Sequence, residues 1–430
     1  MHFAAQRLQC SSASKHPENL TARLLKGRLK ALAGVFSRVT TSGVFIPNFD
    51  GLRFIAIALV VLFHVWQEAQ NTPGLAVPPT ALLSVVSVGW VGVTLFFAIS
   101  GFVLALPFAN HYLNGARCPT LRQYYLRRLT RLEPPYMICL LAYFGMKTLL
   151  LKQDGLFPHL LASMTYTHNL VYSDVSTING LASSLEIEVQ FYLLAPLLAQ
   201  VFRIAQPLVR RGLLVLGMAA FGILTNWVLA PKGTTHSLYL LPQLNYFLTG
   251  FLLADLFATD MAMGKCIRRS FFWDLLATVA WIAMFVAIHR FKVDSLLFPA
   301  LIFIAYLGAL RGVCWNGFTS NPVIFTIGGM CYTIYLWHNL VLEVLMRKLQ
   351  LGNHILALVG AGWFWTLYFV AASLCVLATC GILFAVFEKP FMYKTWPRDF
   401  ANWILGLRLR AASAAPSVEP SPKAKERICR

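Results

Sequence analysis

The sequence predicts an all-α fold, a polytopic membrane helical bundle of about ten transmembrane helices with both termini cytoplasmic. Three observations lead there. Of 430 residues, 58% are apolar and 12% charged, against about a quarter charged in a soluble domain. The apolar residues gather in runs of about 18 or more, long enough to cross the hydrocarbon as helix. The Lys and Arg residues fall mostly in alternate loops, as orientation in a membrane demands.

In chain order, residues 1–46 form a basic, Ser-containing tail without the immediate apolar core of a cleaved leader. The apolar stretches then run over 50–69, 82–107, 134–151, 181–202, 212–230, 238–257, 271–289, 295–311, 322–346 and 360–387. Residues 47–390 are thus expected to be one transmembrane domain. Residues 391–430, with the Pro, Ser and charge content of SAAPSVEPSPKAKERICR, read as a disordered cytoplasmic tail. With the N-terminus inside, 28 of the 36 basic residues fall on the cytoplasmic side and six outside. The net charge of +19 is then topology and anionic-lipid contact, which argues against a nucleic-acid partner. The nine cysteines form no CxxC pair, so neither a metal site nor a disulfide framework is expected.

Ionisable groups at membrane depth cost about 2.5–3.5 kcal/mol each on insertion scales and are functional candidates for that reason. The first apolar segment carries Asp50, Arg53 and His64. Arg53 and His64 are eleven residues apart, which puts them on one helix face about 16 Å apart along the axis. A polar path is expected to follow that face from the cytoplasmic boundary outward. The fourth segment opens with Glu186 and Glu188, about 200° apart on a helix, so only one should face a given pocket. Glu188 shares a stripe with Tyr192 and Glu186 with Gln190. The ninth segment places His338 about 24 Å from its start, at a height comparable with His64. On the cytoplasmic side Arg127, Arg128 and Arg131 lie within about one helical turn, and the i, i+4 pair Arg127 and Arg131 can address one anion. Arginine suits phosphate better than lysine does.

Taken together, FDGLRFIAIALVVLFH, GVTLFFAISGF (92–102), RRLTRLEPPY (127–136), SLEIEVQFY, CYTIYLWH (331–338) and FEKPF (387–391) resemble, in order, the motifs of the acyltransferase-3 family of integral membrane O-acyltransferases. The resemblance covers most of residues 48–392 and implies a single-domain member in a bacterial plasma (inner) membrane. It implies acyl-CoA, acetyl-CoA by default, as co-substrate, no metal, and a carbohydrate or other hydroxylated acceptor, as in polysaccharide modification. It assigns His64, Glu188, His338 and Arg53 to catalysis, and Arg127, Arg128, Arg131 and Arg53 to the donor. Ser183 stands where the family often has Trp, and Thr94 where an acidic residue is frequent. The competing class is a transporter or flippase of a lipid-linked saccharide, in which the buried Arg, His and Glu would form a substrate or proton pathway.

Overall fold

The computed structural model describes residues 34–39, 45–70, 80–229, 238–263, 269–291, 297–393, 395–398 and 402. Most of the two expected tails therefore lies outside the described residues, as do Lys232, Lys265, Arg268 and Lys292.

Among the described residues the chain is helical throughout, with no strand. Helix α1, Pro47–Gln70, begins on a proline whose fixed φ suits a first turn, and Asp50 sits in that turn near the positive end of the helix dipole. Helix α2, Val91–Asn114, stops at Gly115, which takes the left-handed conformation (φ 64°) and returns its amide to the Asn110 carbonyl. The Thr120 hydroxyl accepts the Gln123 amide and opens α3, Leu121–Gly145. Pro134 and Pro135 lie inside α3 and free the carbonyls of Thr130 and Arg131 from their usual amide partners. There follow α4 (Ala182–Leu198), α5 (Pro207–Ile223), α6 (Leu244–Ala262), α7 (Phe271–Phe291), α8 (Leu297–Arg311), α9 (Pro322–Gly329), α10 (Cys331–Glu343) and α11 (Leu351–Leu383).

Among the described residues, six helical stretches are long and apolar enough to cross a membrane: Pro47–Gln70, Leu82–Asn114, Ala182–Arg203, Pro207–Asn226, Phe271–His289 and Trp363–Met392. The other four expected spans are also helical but do not meet that measure. Helix α3 carries charge along its first half, α6 contains Asp255 and Asp260, α8 has 15 residues, and α9 and α10 are separated at Met330.

Two buried apolar clusters meet along α1. One joins α1 to α2, α4, α6 and α8 through residues such as Phe102, Phe247 and Phe251; the other joins α1 to α3, α10 and α11 through Tyr136, Leu336 and Tyr368. Val93 and Phe96 of α2 touch both. The most extensive helix contact is between α2 and α6. A Cβ on Gly250 would lie 2.2 Å from the Ala98 carbonyl oxygen, and one on Gly101 would lie 2.1 Å from that of Phe247. Between membrane helices, where lipid tails are as apolar as the side chains, such small residues let backbones approach and supply the packing. Charge pins the same helix elsewhere: the Arg210 guanidinium pairs with the buried Asp255 carboxylate, and Arg211 Nε lies 2.6 Å from its other oxygen.

Gly250→Leu should therefore separate α2 from α6 and lower the thermal midpoint of the purified protein in detergent. The strain should exceed the roughly 1–3 kcal/mol usual for overpacking, because the obstructing atoms are backbone. A midpoint unchanged from wild type would count against this contact.

Candidate functional site

A cavity of about 630 Å³ lies between α1, α2, α3, α4 and α10, where the two apolar clusters meet. Its charged lining is lopsided: Arg38, Arg53, Arg117, Arg127, Arg128 and Arg131 against one carboxylate, Glu188. Arg117, Gln123 and Arg127 are exposed and mark the mouth. The inner end is formed by Phe96, Ser184 and Tyr335, with the Tyr335 hydroxyl 2.6 Å from Ser184 Oγ and the Phe96 ring edge-on to Tyr335 at 6.2 Å.

The arginines are held differently. Arg53 Nη1 donates to Asp50 Oδ1 one turn earlier on α1, and the same oxygen lies 3.5 Å from Arg38 Nη1. Asp50 is 1% exposed, so the positive charges it faces compensate its removal from water. Arg128 folds over the Tyr124 ring, Cζ to centroid 3.8 Å, and donates from Nη1 to the Tyr124 carbonyl at 2.8 Å. That contact combines a cation–π attraction with a hydrogen bond and fixes the side chain against the wall. Arg127 remains exposed, and the buried Nε of Arg131 has no hydrogen-bond partner.

The two glutamates point apart, as helical geometry requires. Glu186 is buried away from the cavity and its Oε2 accepts the Asn169 amide at 2.8 Å. The Asn169 side chain in turn donates to the carbonyls of Ser183 and Leu238, so Glu186 anchors the His168–Tyr172 segment. Glu188 faces the cavity, accepting from Ser100 Oγ at 2.5 Å and hydrogen-bonding Tyr192 one turn on. The Tyr192 stripe is therefore the cavity-facing one, a choice the sequence left open on geometry alone.

His64 and His338 meet. His64 Nδ1 lies 2.8 Å from the Val60 carbonyl oxygen, which only accepts, so Nδ1 carries the proton. His338 Nε2, 3.2 Å from the same Nδ1, then acts as an acceptor. His338 directs its own Nδ1–H at the carbonyls of Ile334 (2.8 Å) and Tyr335 (3.0 Å). The assigned tautomers leave His64 Nε2 with a free lone pair, the arrangement a general base needs. The polar path expected along the Arg53 and His64 face is not continuous, however. Neither histidine belongs to the cavity wall, which on that side includes Val93, Phe96, Ser184 and Tyr335. The Tyr335 and His338 rings are 6.1 Å apart, so the pair stands just beyond that wall. Glu188 keeps to the cavity side with Ser100.

A family model for an acyltransferase domain matches residues 46–385. The chain belongs to that family. It is the family that the six motifs resemble. The chain is also 25% identical over 327 residues to a protein of Staphylococcus aureus strain COL named "Putative O-acetyltransferase", the match covering 70% of this chain and 51% of that protein. It is 24% identical over 325 residues to the O-acetyltransferase OatA of Staphylococcus aureus strain NCTC 8325 / PS 47, covering 68% and 50%. The chain spans about half the length of the curated relatives it matches. No solved structure matches it.

Three contributors to the site were not singled out from the sequence. Ser100 lies in the ISGF part of a quoted motif, which was the one available signal. Ser184 and Tyr335 stand beside flagged residues, but their meeting is a contact between distant helices that spacing cannot show. The buried Glu388 of the closing FEKPF element accepts the Thr333 amide at 3.0 Å and the Thr333 hydroxyl, tying α10 to the end of α11.

Asp50→Asn should destabilise the fold by about 3–5 kcal/mol, the usual result of stranding a buried charge. A melting comparison of Asp50→Asn, Arg53→Gln and the double variant should show strong coupling; additive losses would mean that the pair does not act as one.

Proposed function

We propose that this chain is a multi-pass membrane O-acyltransferase that moves an acyl group, acetyl by default, from cytoplasmic acyl-CoA to a hydroxyl of a carbohydrate or similar acceptor at the outer side. The reading includes ten spanning helices with both ends inside, in a bacterial inner membrane. One observation carries it: a cavity with six arginines and one carboxylate, set in an apolar bundle, ends beside a histidine pair poised for proton transfer. The family and the relatives named as O-acetyltransferases support the same chemistry.

In this reading Arg127, Arg128 and Arg131 hold the phosphates of the donor near the mouth through charge-assisted hydrogen bonds, and Arg53 lies further in along the donor's path. A stretched pantetheine arm, about 15–20 Å, is comparable with the rise from Arg53 to His64 along α1. The wall at Phe96, Ser184 and Tyr335 must part for the thioester to reach the histidines. His64 Nε2 takes the proton of the acceptor hydroxyl as its oxygen bonds to the thioester carbonyl carbon. The C–S bond then breaks, the acyl group stays on oxygen, and the imidazolium returns the proton to the leaving thiolate. His338 holds the ring by accepting the Nδ1–H, a bond that strengthens while His64 is charged. Glu188, with Ser100, lines the approach and orients the donor or acceptor.

His64→Ala should reduce transfer of radiolabelled acetyl from acetyl-CoA by about 10²–10⁴-fold, the usual worth of a positioned general base, while the protein still inserts and purifies. Product at the wild-type rate would refute the assignment. Replacing Arg127 and Arg131 together by Ala should raise the KM for acetyl-CoA at least about tenfold, since hydrogen bonds to charged groups are worth roughly 1.5–3 kcal/mol each. An unchanged dependence on donor concentration would remove those residues from the donor site. Mass spectrometry of surface polysaccharide from cells with and without the protein addresses the acceptor.

A further inference from the structure

Arg38 lies before the first helix and outside the segment matched by the family, yet it lines the cavity. Its placement is built from three contacts. The Phe36 ring approaches Gly381 of α11, 3.3 Å from where a Cβ would stand, so the missing side chain leaves room for it. Phe36 and Val39 pack on the apolar cluster of α1, α3, α10 and α11. Lys389 Nζ donates to the carbonyls of Gly34 (2.5 Å) and Val35 (2.8 Å), which tethers the short turn to the FEKPF element. Arg38 is thus presented to the cavity by a docked segment.

Charge at this point is unbalanced. Arg38 and Arg53 share one carboxylate, Asp50. Arg131 is close enough to add to the repulsion, and the other acid that acts on Arg38 and Arg131, Glu388, accepts twice from Thr333 at Oε2 while its Oε1 is buried without a partner. Burial, followed by the like charges of Arg53 and Arg131, pulls the Arg38 ionisation down to about 9 against the opposing pull of Asp50. The group stays charged at neutral pH, where three guanidinium groups, those of Arg38, Arg53 and Arg131, face the two carboxylates of Asp50 and Glu388. The Nε atoms of Arg38 and Arg131 are both buried without a hydrogen-bond partner. Buried donors of this kind are normally satisfied. A bound phosphate, with its several acceptor oxygens and fit to guanidinium forks, supplies what is missing.

We propose that Arg38 is a phosphate-binding residue of this cavity, completing with Arg53 and Arg131 an anion site that the segment before α1 helps to build. The phosphate is that of the acyl donor if the function proposed above is right, or that of an anionic lipid headgroup.

The test uses the full chain, purified in a detergent free of anionic lipid, and measures equilibrium binding of 3′,5′-ADP, the nucleotide part of coenzyme A. Arg38→Ala should weaken binding about tenfold, and Arg38→Lys should recover part of the loss. The ratio of acetyl-CoA affinity to that of acetyl-pantetheine, which lacks the phosphates, should fall by a similar factor. Wild-type affinity for 3′,5′-ADP in Arg38→Ala would overturn the proposal, and so would an equal loss for acetyl-CoA and acetyl-pantetheine, which would mark Arg38 as merely structural. Lys389→Met, which keeps Arg38 but removes its tether, should give a smaller loss and serves if Arg38→Ala does not fold. Wild-type affinity in that variant would then overturn the role of the docked segment. Should the wild-type protein bind no 3′,5′-ADP, the donor assignment fails, and the site is read instead by thermal stabilisation in phosphatidylglycerol nanodiscs. Stabilisation lost in Arg38→Ala, or reduced in Lys389→Met should Arg38→Ala not fold, would assign the phosphate to lipid; wild-type stabilisation there would overturn the proposal.

Discussion

A guanidinium group inside a membrane protein persists only where negative charge or water meets it, and this bundle is organised around that constraint. At an effective dielectric constant of about 20, a unit pair at 4 Å is worth roughly 4 kcal/mol. Asp50 is therefore a large local contribution beside Arg53 and Arg38. Its position is secured by backbone packing. A Cβ on Gly328 of α9 would lie 1.7 Å from the Asp50 carbonyl oxygen, so α9 rests directly on the first turn of α1. Asn48 donates to the Ala309 carbonyl and the Thr319 hydroxyl, holding the same turn from the other side. The carboxylate that organises the arginines is thus itself held by neighbours on both sides.

Helix α1 also divides the molecule. One apolar cluster lies to each side of it, and the cavity opens along their boundary rather than through either. That arrangement lets a polar chamber exist without unmaking a core. Arg53 reaches in from α1, Arg127, Arg128 and Arg131 from α3, and Arg38 and Arg117 from the segments that precede those two helices.

Much of this was legible in the sequence. Helical runs, the shared face of Arg53 and His64, and the comparable depth of His64 and His338 follow from periodicity and rise, which are local properties. The approach of those histidines to 3.2 Å agrees with the depth argument. The divergence of Glu186 and Glu188 was legible as well, though not which of them faces inward, because that depends on how α4 is rotated against α2. The interruption at Phe96, Ser184 and Tyr335 was not legible. A spacing on one helix says nothing about what other helices place between two of its residues. Arg38 was counted only among the cations of a tail, since the contacts that dock its segment, Phe36 at Gly381 and Gly34 and Val35 at Lys389, lie more than 340 residues away.

The barrier at the inner end has a consequence for the cell envelope as well as for chemistry. A chamber wide enough for a long thiol-bearing arm, if it ran unbroken to the far side, would let protons and small ions drain across the bilayer. In the reading proposed above, a tyrosine–serine hydrogen bond and an edge-on phenyl ring stand across that route. On the same reading, the side chains that the donor arm displaces also stand between the chamber and the far side, so loosening them should be felt as leakage of the membrane potential.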